Sequence, residues 1–144
     1  MEILVAIIFA GFLISISATD LKTMMIYDRI LLPMAAVGIL FDALGFLVSV
    51  GEGILYFALG FILMFAIYII SRGGMGGGDV KFCAVLGLWL GKNLLAAIFL
   101  ASMLAAIFAV FLAIKNRDLK SQFPFGPFLS AGSFFIYFSR ILGS

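Results

Sequence analysis

The 144-residue chain is 65% hydrophobic and 11% charged, with a net charge of +2 and a mean hydropathy of +1.31, a balance far from that of soluble domains. It has no histidine and one cysteine, Cys83, which excludes Ser-His-Asp, Cys-His and His-ligated metal chemistry along with an intramolecular disulfide. Its basic residues are scattered, so the expected surroundings are a lipid bilayer and no nucleic acid partner is expected.

Taken in order, the first apolar run, 2–19, has Glu2 and no basic residue before it, unlike a secretory signal. It is expected to be a retained helix, closed by Asp20. Further apolar runs follow at 30–50, 53–71, 79–90, 94–114 and 124–143, and the six runs are joined by 20–29, 51–52, 72–78, 91–93 and 115–123. These predict one all-α integral membrane domain over 1–144, with about six transmembrane helices. Short connections predict that successive helices are antiparallel neighbours. The fourth run covers roughly 18 Å at the helical rise, against a hydrocarbon core of about 30 Å. It cannot span alone, so its beginning is expected to lie in a recess, where irregular backbone is tolerated only if buried or lining a wet cavity.

Loops rich in Lys and Arg mark the cytoplasmic side. Lys22, Arg29, Arg72, Lys81, Lys115, Arg117 and Lys120 fall at the first, third and fifth connections, and only Lys92 and Arg140 fall opposite. The N-terminus is therefore expected outside, with Asp20 and Asp79 together on the cytoplasmic side.

The stretch Arg72-Gly-Gly-Met-Gly-Gly-Gly-Asp79-Val-Lys81 has five glycines in positions 73–78. Glycine permits positive φ and close backbone approach. A flexible turn with Asp79 as a helix cap, or small-residue helix packing, accounts for the same residues about as well as function does. Asp20 alone reads more simply as an interfacial charge. Two carboxylates at one membrane depth weigh differently, because ionisable groups there are costly and mark function. Adjacent carboxylates can share one proton, so the pair is base and acid together: one activates a water, the other polarises a peptide carbonyl and protonates the leaving amine. Asp20 ends one predicted helix and Asp79 opens another, so the helix dipoles assign the negative charge to Asp79. Asp28, beside Arg29, reads as a supporting residue. Asp42 and Glu52 are expected near the far face, and Asp118 in a basic loop. Lys81 is the one candidate base for a serine nucleophile, with no motif behind it.

These residues resemble the type 4 prepilin peptidase family, including preflagellin peptidases, of the GxGD aspartic class. Gly76-Gly77-Gly78-Asp79 fits GxGD, and Lys81 fits the Lys that follows it. Asp20 fits the first catalytic aspartate, Asp28 and Pro33 follow it in the family's pattern, and Pro124-Phe125-Gly126-Pro127-Phe128 fits an FGP segment that opens a late helix. Tyr27 departs from the pattern, standing where many relatives have Pro. The resemblance implies Asp20 and Asp79 as the catalytic pair, with Gly76, Gly78, Lys81 and Asp28 in support and no metal or cofactor. It implies removal of a short basic leader from prepilin-like or preflagellin-like precursors, at the cytoplasmic face of a prokaryotic plasma membrane. Longer relatives carry a cysteine-containing cytoplasmic insertion linked to N-methylation; this sequence starts at its first helix, so a minimal peptidase without methyltransferase activity is expected.

Two rivals use the same carboxylates. A presenilin-like or signal-peptide-peptidase-like enzyme pairs GxGD with Pro-Ala-Leu, which does not occur here. A small transporter with paired acids is expected to show broken helices in corresponding halves, and one interrupted element is visible. An assembly subunit without enzymatic activity would tolerate loss of Asp79.

Overall fold

The computed structural model describes residues 2–23, 26–70, 77–116 and 125–143. These form six α-helices and no strand: α1 (Glu2–Thr23), α2 (Asp28–Leu44), α3 (Val50–Ile70), α4 (Gly77–Leu90), α5 (Leu94–Asn116) and α6 (Gly126–Leu142), with a 3-10 turn, Gly91–Asn93, between α4 and α5. Three stretches are long and apolar enough to cross a membrane: Glu2–Thr23, Val50–Ile70 and Gly77–Lys115. The last runs through α4 and α5. Helices α2 and α6 have 17 residues each, the lower end of a spanning length. Large apolar side chains such as Ile7, Ile62, Phe99 and Ile107 face outward, as expected where the surrounding medium is lipid.

Helix α4 is the centre. Its residues from Phe82 to Leu90 are all buried, the mark of a helix enclosed by others on every side. The expectation of sequential antiparallel neighbours is only partly met. Helices α3 and α4, and α5 and α6, pack extensively, but α2 packs mainly on α4, α1 packs mainly on α6, and α4 and α5 share a small interface. The reason is that a buried central helix supplies a packing surface that its neighbours in sequence lack. An ideal Cβ on Gly87 would lie 2.5 Å from the Tyr56 backbone, so this glycine is what lets α3 and α4 approach so closely.

Away from the carboxylates, an aromatic cluster joins four helices. Trp89 of α4 stacks on Phe9 of α1 with centroids 4.9 Å apart, Tyr137 of α6 tilts against Phe9, and Phe41 of α2 meets Trp89 edge-on. The Trp89 indole Nε1 donates to the Met34 carbonyl at 3.1 Å, so this buried donor is satisfied.

The connection expected at 51–52 lies instead at 45–49. Gly45 adopts φ +84°, its N–H donates to Asp42 O, and the Phe46 N–H donates to Phe41 O. This is a Schellman motif, completed by the Phe41 and Phe46 rings. Glu52 is thereby in the first turn of α3. The end of α1 also differs: the helix continues to Thr23, so Asp20 lies inside its last turn.

Candidate active site

Asp20 belongs to the stripe Val5, Phe9, Leu13, Ile16, Asp20 that α1 buries, so helical periodicity turns a carboxylate inward with the core. It is 4% exposed. Its Oδ2 accepts a hydrogen bond from the Gly126 N–H at 2.8 Å. Gly126 is the first residue of α6 and Pro127 follows it, a position where proline's missing donor costs nothing. The amino end of α6 therefore points at Asp20. A Cβ on Gly126 would collide with that carboxylate, which accounts for glycine here. The FGP segment signals a helix start in the sequence, but its contact with Asp20 is invisible there.

Asp79 lies in the first turn of α4 and is 8% exposed. Gly78 beside it packs against Ile26, six residues beyond Asp20, and Cys83 lies one turn further along α4. The structure thus brings two carboxylates that are far apart in the sequence to the same end of the bundle. Each is at the amino end of a helix, Asp79 of its own and Asp20 of α6. At Asp20 the amino end of α6 favours negative charge while the carboxyl end of its own α1 opposes it; the sequence shows the second effect and not the first.

Of the supporting residues, Gly78 is tightly held: a Cβ there would lie 3.0 Å from Ile26 Cβ. Lys81 does not turn toward the pair. Its Nζ reaches both oxygens of Asp28 at 3.3 Å, with both side chains 57% exposed, so the contact joins the starts of α2 and α4 and contributes little stability. Tyr27, at the proline position, is the N-cap of α2 in extended conformation, and its carbonyl accepts from Ile30 and Leu31. Gly76, Arg72, Asp118, Arg117, Lys120 and Pro124 lie outside the described residues.

Asp42 and Glu52 are at the opposite end. Asp42 accepts from the Val48 N–H at 3.2 Å, Glu52 from the Lys92 N–H at 2.9 Å, and Arg140 donates to the Leu47 carbonyl at 2.7 Å. They line a cavity of about 420 Å³; Asp42 and Arg140 pin the 45–49 turn, and Glu52 ties the start of α3 to the 91–93 turn. Among the described residues no group of three or more His, Cys, Asp or Glu is placed to hold a metal ion. Two buried neighbouring carboxylates are a chemically sufficient acid-base unit for hydrolysis through an activated water.

A family model described as the type IV leader peptidase family matches residues 7–111. Similar curated proteins include three called prepilin leader peptidase/N-methyltransferase. That of Bacillus subtilis (strain 168) is 38% identical over 142 residues, covering 95% of this chain and 56% of the relative. That of Neisseria gonorrhoeae is 33% identical over 137 residues, 91% and 47% respectively. That of Aeromonas salmonicida (strain A449) is 31% identical over 134 residues, 88% and 46%. The chain spans about half the length of these relatives. No solved structure matches it at a significant level.

Proposed function

The chain belongs to the type IV leader peptidase family, and from that premise we propose that it is a membrane aspartic endopeptidase removing the short basic leader from prepilin-like or preflagellin-like precursors. The observation that carries this reading is the burial of both Asp20 and Asp79 at one end of the bundle, where the starts of α4 and α6 meet the end of α1. In the proposed reaction one carboxylate, ionised, takes a proton from water as the water attacks the scissile carbonyl. The other, protonated, donates a hydrogen bond to the carbonyl oxygen and then a proton to the departing amine. The Gly126 N–H holds Asp20 in place, and Gly78 lets the start of α4 sit close against Ile26. Lys81 and Asp28 meet across the starts of α2 and α4 beside the site.

The site is proposed to face the cytoplasm of a prokaryotic plasma membrane, with six helices crossing and the N-terminus outside. Lys22 and Lys81 lie at the site's end of the bundle, and the first, third and fifth connections, which hold most of the basic residues, adjoin the same end. Only the peptidase half of the relatives' name is carried over; among the described residues nothing argues for the methyltransferase half.

The test is co-expression with prepilin-like precursors. The unsubstituted chain is expected to yield a shortened product, and Asp20→Asn and Asp79→Asn are each expected to abolish it while the protein remains in the membrane. Processing that survives both single changes removes the aspartic reading.

A further inference from the structure

A groove of about 490 Å³ runs between α1 and α6 on the outside of the bundle. Ala10, Ile14 and Leu21 line it from α1, and Pro127, Ser130 and Phe134 from α6. Its inner end is built from residues adjoining the carboxylate site, since Leu21 follows Asp20 and Pro127 follows Gly126. From Leu21 to Ala10 the α1 wall extends about 16 Å along the helix axis, roughly half of a hydrocarbon core. Ile14 and Leu21 are exposed, so the groove is open sideways to lipid.

Ser130 is an independent sign that something docks there. It is 5% exposed and its Oγ has no hydrogen-bond partner. Elsewhere in the same two helices the hydroxyls of Ser15, Thr19 and Ser133 donate to the carbonyl four residues back, the ordinary resolution for a helical hydroxyl in an apolar medium. A buried, unused hydroxyl calls for a partner outside the chain. Small residues on both walls, Ala10, Ala18 and Ala131 among them, let another helix come close, as helix pairs in membranes require.

We propose that the α1–α6 groove is the docking track for the apolar membrane segment of the precursor, seating it as a helix so that the bond just before it arrives at Asp20 and Asp79. This rests on the peptidase reading above. A second apolar groove, about 390 Å³ between α2, α3 and α4, competes for the role. Its α4 wall is Lys81, Ala84 and Val85. Lys81 is two positions from Asp79, about 200° around the helix, so a segment seated there would be led to the face of α4 turned away from the carboxylate.

The experiment uses membrane vesicles holding the full chain and a prepilin-like precursor. Ala131→Trp, which fills the first groove from an exposed position, is expected to raise KM about tenfold. Leu32→Trp, in the second groove, is expected to leave KM unchanged. In a parallel arm, a photocrosslinking amino acid replaces Phe134 or Leu32; capture of the precursor at 134 and not at 32 supports the track and stands even where the tryptophan variant fails to fold. An unchanged KM in a folded Ala131→Trp protein, or capture at 32 in place of 134, overturns the track while leaving the peptidase reading intact. Failure of the unsubstituted chain to cleave the precursor removes the peptidase reading and the track with it.

Discussion

Gly126 shows how much a single residue without a side chain can do for a site. Its N–H holds Asp20 at 2.8 Å, and any Cβ would collide with the same carboxylate. Replacing glycine by alanine in a helix ordinarily gains up to about 1 kcal/mol, so Gly126→Ala separates stability from geometry. The expected outcome is a fall in kcat of about 100-fold, the scale of a catalytic group misplaced by an ångström, with thermal stability in detergent nearly unchanged. Equal kcat in the variant would mean that the contact does not position Asp20. The two aspartates themselves are legible in the sequence, because a charge in so apolar a chain demands an explanation. Gly126 is not, since a backbone donor has no residue type of its own.

At the scale of the element, α4 explains both what the sequence reveals and what it hides. Its apolarity and short length point to a buried helix that does not span alone, and the structure gives a 14-residue helix buried on all sides from Phe82 to Leu90. The partners that cover it are not legible, because a helix apolar on all sides names no preferred face. Likewise a connection at 51–52 rests on Gly51 and Glu52 as punctuation, whereas the chain turns at Gly45, where positive φ and two carbonyl acceptors close the helix. The α3–α4 contact yields a prediction from two glycines. At Gly11 a Cβ meets nothing within 4 Å, but at Gly87 it meets the backbone of Tyr56. Gly11→Ala is expected to raise stability by up to about 1 kcal/mol through helix propensity. Gly87→Ala is expected to lower it by about 1–3 kcal/mol, since backbone cannot rotate aside and overpacking outweighs propensity. Thermal unfolding in one detergent compares them, and equal stabilisation of both would contradict so close an approach.

On the scale of the whole molecule the two ends have opposite chemistry. One end carries the carboxylate pair and, among the described residues, Lys22, Arg29, Lys81 and Lys115. The other carries Asp42, Glu52, Lys92 and Arg140, whose hydrogen bonds hold the 45–49 and 91–93 turns. Membrane insertion follows the count of Lys and Arg in short loops, with acidic residues contributing little, so the balanced far cluster does not offset the basic end. The pair is therefore expected to face the cytoplasm, and single cysteines test this directly. Cys83 is buried and is expected to be inert to a polar thiol reagent, leaving the native chain as a blank. Ser49→Cys, in the exposed turn after α2, is expected to be labelled by a membrane-impermeant maleimide on intact cells. Lys22→Cys, just past Asp20 in the last turn of α1, is expected to react only after lysis. The reverse pattern would put the carboxylates on the outer face, where a basic leader held in the cytoplasm could not reach them.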